Sequence, residues 1–547
     1  MSRHTVPALV AVLLALAVPP GASAHAVLLE TRPANDAIAE ESPTEVVLRF
    51  DEPVETALGS IRVFDASGER VDDETITQPR PQVVSVGIGD ELERGTYTVT
   101  WRAISADSDP ISGAFVFHVE EPGEQPAGIA AQVLEGTPLL VSIAYTTGRF
   151  LDFSLLLLCA GGIAALVYAL RTADARLHRR LYGILAGAAA ALAVVALVGL
   201  ALQGAAAGGF GLGEAFRWDV VSSVAETRYG NASLVRGGLA AALVVVALAL
   251  RARAGRGGTI LLGFAALLAV GLVVTPSASG HASVAGPVAF AADVAHVLAA
   301  ATWTGGLAFV VLALVFATEE RWPLATRSVP RFSTMALVAV GVLLIAGAVN
   351  GYLQIGAWRG LWETQYGLLL LGKIALVLPL LALGAFNNRY AVPALRAGVA
   401  TPSERRRFLR AAGAELAVMI AIVGVTAVLV NAPPAKTEIE MHAPAEQAFA
   451  LGDLEGHVQV EPGETGRNQI HLAFMHGNID DLKDVRISAT LASKEIGPLR
   501  FEARPAGHTG FVVPNAQLSP AGDWQLRIEA RRGEFDLLTA TVSVPIR

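Results

Sequence analysis

Between about residue 145 and residue 431 the chain carries eight long apolar segments, approximately 146–170, 181–203, 231–250, 258–276, 288–317, 332–355, 366–388 and 410–431. Each approaches or exceeds the roughly 20 residues that a helix needs to cross a bilayer. The lipid bilayer is therefore the expected surroundings of this region, as an eight-helix α-helical membrane domain over 145–431. Arginines set its orientation. The connections after segments one, three, five and seven hold runs such as Arg171, Arg176, Arg179 and Arg180, or Arg405, Arg406 and Arg407. The opposite short loops hold only Arg217, Arg228 and Arg359. The arginine-rich side is expected in the cytoplasm, which places both chain ends outside.

The start of the chain agrees with that placement. Residues 1–24 read as a signal peptide: Arg3 and His4, a short apolar run, then Ala22-Ser23-Ala24 as a cleavage signal. Cleavage there makes His25 the mature N-terminus. Residues 25–119 then alternate apolar and polar positions in "EVVLRF" and "GTYTVTW" and close on "GAFVFHV", with glycine-bearing turns between them. That spacing predicts a β-sandwich. Residues 120–144, opening with "EEPGEQPAG", read as a linker. Residues 432–547 return to strand alternation in "NQIHLAF" and "DWQLRIEA", which predicts a second β-sandwich. No short-period repeat is visible.

Composition removes several classes. The net charge of −8 gives no reason to expect nucleic acid as a partner. The single cysteine, Cys159, excludes an intrachain disulfide and a cysteine-built zinc or iron–sulfur centre. No G-x-x-x-x-G-K-[ST] motif is present for a directly ATP-driven P-loop pump.

A free N-terminal histidine offers its α-amine and a ring nitrogen to one metal, a chelate no internal residue can form. Mixed nitrogen and oxygen donors favour Cu(II). "SADSDP" supplies Asp107 and Asp109 as further ligands. His118, on the last strand nearby, reads as a surface residue, with a ligand role as the alternative. No methionine lies between residues 25 and 120, so a soft Cu(I) site is not expected there.

Within the membrane region ionisable residues are costly, which makes them functional candidates. His281 precedes segment five, Asp293 and His296 share one face of that segment, Asn350 ends segment six, and Lys373 enters from segment seven. They are expected as an outer metal entrance, with His281, Asp293 and His296 as ligands and Asn350 and Lys373 as supporting polar groups. The competing reading pairs Asp293 with Lys373 and hydrogen-bonds His296 to a backbone carbonyl. Gly305 and Gly306 permit close helix approach. Trp303, Cys159, Met335 and Met419 read as packing, and Asn387, Asn388 and Arg389 as a hydrogen-bond cluster.

Three resemblances sharpen this picture. "HAVLLETRPANDA", "VVLRFDEPVE", "GTYTVTWRAISAD" and "ISGAFVFHV" resemble the CopC family of periplasmic copper-binding proteins. The resemblance implies Cu(II) held by the mature N-terminal histidine, an aspartate and a second histidine in a D-G-H-P turn. His25 and Asp107 match that pattern, whereas Ser108 and Asp109 replace the glycine and the histidine. "DVAHVLAAATWTGGL" and "YGLLLLGKIALVLPLLALGAFNNRYAVP" resemble the CopD family of copper-transport membrane proteins. "VQVEPGETGRNQIHLAF" and "LSPAGDWQLRIEARRG" resemble the YtkA-like domain, in which His457, His471, Met475, His476 and His508 offer a weak copper surface beside their ordinary role as strand residues.

The expectation is a non-enzymatic copper-binding protein of a bacterial cytoplasmic membrane, with both sandwiches on the periplasmic side. It captures Cu(II) and imports copper, with Cu(I) as the form in transit and periplasmic copper chaperones as candidate partners. A copper buffer or sensor and a haem or copper redox protein are the alternatives.

Overall fold

The fold comes from a computed structural model. It describes residues 26, 28–34, 37–50, 52–56, 61–105, 110–123, 137–171, 174–254, 258–317, 321–436, 445–452, 454–461, 463, 465–476, 482–494, 496–506, 510–520, 522–532 and 536–546. The chain forms a helical unit and a β-rich unit.

Eight helices in the helical unit are long and apolar enough to cross a membrane. They are α1 (Leu139–Ala169), α2 (Ala175–Gly208), α3 (Arg228–Ala252), α4 (Thr259–Ser279), α5 (Pro287–Phe316), α6 (Arg321–Ile355), α7 (Gln365–Arg396) and α8 (Pro402–Leu429). Several begin well before the apolar run that marks them, because hydropathy reports only the apolar length while backbone hydrogen bonding continues through polar turns. Caps set the true starts. The Asp174 carboxylate accepts from the Arg176 and Leu177 amides at 2.8 and 3.2 Å ahead of α2. Thr401 and Glu404 form a reciprocal capping box ahead of α8.

Helix α1 crosses α5 at glycines. A Cβ on Gly161 would lie 1.9 Å from the Ala301 carbonyl oxygen, and one on Gly305 would lie 1.9 Å from the Leu157 carbonyl oxygen. The absence of side chains is what lets these backbones touch, as small residues do between membrane helices. Leu156, Ile163, Leu185, Phe309 and Leu314 are buried around this crossing. The apolar-run reading does not register two short helices, Trp218–Ala225 and Gly360–Glu363, which precede α3 and α7.

The β-rich unit contains two sandwiches. In the first, one sheet orders β1 (Leu28–Arg32), β3 (Glu45–Phe50), β7 (Val83–Ile88) and β6 (Asp72–Arg80). The other orders β2 (Ile38–Ala39), β9 (Pro110–Val119), β8 (Gly95–Ser105) and β4 (Val54–Glu55), with β5 (Ile61–Phe64) pairing β8. Alternation buries Val46, Leu48 and Phe50 of β3, and Phe50 meets Trp101 edge-on at 5.4 Å. Gly113 is required beneath that indole, since a Cβ there would lie 2.6 Å from it.

In the second sandwich, β10 (Ala445–Leu451), β11 (Leu454–Glu461), β12 (Gly466–His476), β16 (Gly510–Leu518) and β15 (Arg504–Pro505) make one sheet. The other is β14 (Ile496–Glu502), β13 (Leu482–Leu491), β17 (Gly522–Arg532) and β18 (Asp536–Ile546). Trp524 is fully buried between them and its indole N–H donates to the Pro520 carbonyl at 2.9 Å. Burying such a ring contributes about 1.5–3 kcal/mol or more.

Candidate functional site

Helix α5 starts on Pro287, whose fixed φ and missing N–H suit a first helical position. It carries Asp293 into a predominantly apolar span. A carboxylate there needs donors, and neighbouring helices supply them. Ser277 Oγ of α4 donates to Asp293 Oδ2 at 2.7 Å, and Asn350 Nδ2 of α6 donates to Oδ1 at 3.2 Å. Hydrogen bonds to a charged acceptor contribute about 1.5–3 kcal/mol each. Lys373 of α7 and His281 act on the same carboxylate through space. No ion pair within 4.0 Å joins Asp293 to Lys373, so the direct pairing considered from the sequence is replaced by neutral donors.

His296 lies beyond Asp293 on α5, and the edge of its ring faces α6. A Cβ on Gly347 would sit 3.2 Å from Cε1 and 3.4 Å from Nδ1, so this glycine makes the room the imidazole occupies. The Leu343 backbone approaches the ring, but Nδ1 is enclosed and has no hydrogen-bond partner of acceptable geometry. Lys373 reaches His296 electrostatically as well. His281 opens a single 3-10 turn, His281–Ser283, which Arg228 ties to α3 through Ser283 Oγ at 3.1 Å. The structure thus brings Asp293, Asn350, His296 and Lys373 around one stretch of α5, with His281 within electrostatic range. Among the described residues, no three His, Cys, Asp or Glu side chains converge closely enough to hold a metal ion. The donors offered are nitrogen and oxygen, which suit copper more than a purely thiolate-seeking ion does.

A second polar centre was not singled out from the sequence. Asp152 of α1 and Arg236 of α3 are 7% and 5% exposed, and Arg236 Nη1 donates to Asp152 Oδ2 at 2.5 Å. Arg236 Nε also donates to Thr275 Oγ1 at 2.8 Å. Arg149 stacks over the Tyr145 ring at 4.9 Å, and the Tyr145 hydroxyl donates to buried Gln203. The signal was present: an aspartate and an arginine lie inside predicted spans one and three, where charge is costly.

His25, Asp107 and Asp109, the expected Cu(II) ligands of the first sandwich, lie outside the described residues. Asp107 and Asp109 fall between the end of β8 and the start of β9. His118 is corrected from a surface histidine to a buried one, 8% exposed, with Nδ1 3.0 Å from Thr96 Oγ1. His118 lies on the strand face opposite Phe117, and it is buried there because the chain at Gly123 closes over the same Thr96 hydroxyl, which donates to the Gly123 carbonyl at 2.9 Å. Trp303 is buried packing, as expected. Asn387 Nδ2 donates to Glu415, and Ser333 Oγ donates to Asn388 Oδ1 at 2.8 Å. In the second sandwich, His457 stands opposite Ala473 and His471 opposite Gln459, so the two histidines are diagonal neighbours on one sheet face. The side chains of Met475 and His476, and all of His508, lie outside the described residues.

Comparison with known proteins gives three matching family models. The CopC domain matches residues 28–120, the Copper resistance protein D-like N-terminal domain matches residues 140–289, and Copper resistance protein D matches residues 326–429. The chain is 28% identical over 96% of its length to Copper transport protein CutJ of Bacillus subtilis, covering 97% of that protein. Protein YobA of Escherichia coli is 31% identical over 20% of this chain and 90% of its own length. The crystal structure of CopC from Methylosinus trichosporium OB3b is 28% identical over 18% of this chain and 98% of that one, with a TM-score of 0.16.

Proposed function

Because the chain belongs to the CopC and CopD copper resistance proteins, joined here in one polypeptide, we propose that it captures Cu(II) outside the cell membrane and imports copper through its helical unit. The observation that carries this reading is the near full-length similarity to a protein named for copper transport. The signal-peptide pattern and the arginine bias support a processed His25 and an outward position for both sandwiches. His25 then contributes its amine and imidazole, and Asp107 and Asp109 contribute carboxylates.

From there the cargo meets Asp293, His296 and His281 near the start of α5. The carboxylate provides attraction, the imidazoles provide nitrogen donors, and Asn350 and Ser277 hold the carboxylate in place. Lys373 repels a metal ion, so its part is to balance the buried carboxylate. Ligands suited to Cu(II) outside and soft donors such as Met335 and Met419 inside the helices support reduction to Cu(I) before passage.

Cytoplasmic copper in cells expressing wild type, H281A or H296A tests the proposal. Wild type is expected to accumulate copper and both variants to lose most of that gain. The lack of three converging ligands among the described residues favours a second reading, in which the helices anchor a copper buffer. Equal cytoplasmic copper in all three strains selects that reading.

A further inference from the structure

The third helices that serve the two polar centres of the helical unit open alike. Glu226-Thr227-x-Tyr229-Gly230, which opens α3, recurs as Glu363-Thr364-x-Tyr366-Gly367, which opens α7. At the same onward spacing, Arg236 in α3 corresponds to Lys373 in α7. The local structure repeats with the letters. Thr227 Oγ1 caps by accepting from the Gly230 amide at 3.1 Å, and Thr364 Oγ1 accepts from the Gly367 amide at 3.0 Å. A Cβ on Gly230 would lie 1.9 Å from the Val224 carbonyl, and one on Gly367 would lie 1.9 Å from the Gly360 carbonyl, each in the short helix just before.

The α1–α5 crossing shows the same relation. Gly161 rests on the residue one turn before Gly305, and Gly305 rests on the residue one turn before Gly161. Reciprocal contact of that kind is the mark of a two-fold relation. Helices α1–α4 and α5–α8 therefore form two parallel repeats, with Arg236 and Lys373 at the same place on the third helix and an aspartate on the first, about one turn apart in register: Asp152 lies nine residues before Gly161 and Asp293 twelve before Gly305.

The copies differ in closure and in polar satisfaction. In the first repeat α2 packs along α3, whereas in the second α6 meets α7 chiefly at its far end, through Val392–Arg396 and the Ser333–Asn388 hydrogen bond. Both oxygens of Asp293 are hydrogen-bonded. Asp152 Oδ1 is enclosed and has no partner, although Oδ2 is bound. A buried acceptor left open in this way is costly, and a proton on it relieves that cost. The charges acting on Asp152 are Arg236 from α3 and Arg149 from its own helix, while α4 presents Thr275, and Gln203 of α2 is held by Tyr145. Two guanidinium groups oppose a metal ion there. A proton needs no coordination shell and neutralises the carboxylate by forming one O–H bond.

We propose that Asp152 is a proton-binding site of the first repeat, taking a proton on Oδ1 and loosening its hold on Arg236, while the second repeat handles the metal. The metal half of that division rests on the transport reading; the proton site does not. Its test is infrared difference spectroscopy of the full-length protein in lipid from about pH 3 to about pH 9, a range that brackets ordinary and burial-raised carboxyl values. A protonated-carboxyl band is expected in wild type and D293N and is expected to be lost in D152N. A D152N spectrum that superimposes on wild type overturns the proposal.

If D152N does not assemble, R236Q keeps the carboxyl and removes a cation, and the band is then expected to move about 1–3 pH units upward. An unmoved band overturns the proposal. Copper uptake by the same proteins separates the two readings. Uptake with no Asp152 band leaves transport standing without the proton site, and a titrating Asp152 without uptake does the reverse.

Discussion

Gly161 and Gly305 occupy each other's missing side-chain space: the Cα of Gly305 lies 2.7 Å from where a Cβ on Gly161 would be, and the Cα of Gly161 lies 3.1 Å from where one on Gly305 would be. Neither repeat can move past the other at this point without losing backbone contact. The crossing holds α1 and α5 backbone to backbone, and Asp152 and Asp293 each lie on one of these two helices.

Gly161→Ala and Gly305→Ala are expected to destabilise the helical unit by about 1–3 kcal/mol each, the usual range for overpacking. Because each substitution breaks the same contact, the double variant should cost less than the sum of the two. Unfolding of the purified protein in lipid or mild detergent measures this. Additive losses would mean that the two glycines act independently.

Asp293 depends on its neutral donors. Ser277→Ala and Asn350→Ala each remove one, and each is expected to lower stability by roughly 1–3 kcal/mol, because a charged acceptor is left less satisfied. Copper uptake should fall in both variants, since the carboxylate loses its fixed orientation. Copper uptake and unfolding measured on the same preparations check the two effects, and full uptake in either variant would remove Asp293 from the route.

How much of this was legible depended on the range of the signal. Eight spans and two alternating β regions follow from local periodicity, which the apolar runs and "EVVLRF" display over a few residues. The helix starts at Ala175, Arg321 and Pro402 were missed because polar turns continue a helix without changing hydropathy. Asp293, His296, Asn350 and Lys373 could be grouped because topology alone places them at one depth. Arg236 and Asp152 were harder, since their meaning lies in a repeat whose copies are separated by several spans. His118 differs because alternation puts it opposite Phe117, on the outer face, whereas its burial comes from the chain at Gly123, which local periodicity does not register.

His118→Ala should leave an enclosed Thr96 hydroxyl without the imidazole. Because that hydroxyl keeps its bonds to Gly123, a loss of only about 0.5–1.5 kcal/mol from the first sandwich is expected, with Cu(II) affinity at the N-terminus little changed if His118 is not a ligand. Copper titration alongside thermal unfolding of the full chain separates these. A large fall in affinity at unchanged stability would make His118 a ligand.

Gly347→Ala probes the His296 pocket without touching a candidate ligand. The new Cβ would stand 3.2 Å from Cε1 of the imidazole, close enough that the ring or α6 must give by a few tenths of an ångström. If His296 must present a nitrogen to copper at a set angle, uptake should fall several-fold while the protein unfolds nearly as wild type does, since α6 is largely exposed along its length. Gly347→Ser adds a hydroxyl to the same intrusion and places a partner beside Nδ1, which has none in the native pocket. It is expected to fix the ring and lower uptake at least as far as alanine does. Wild-type uptake in both variants would show that the orientation of His296 is immaterial to the passage of copper.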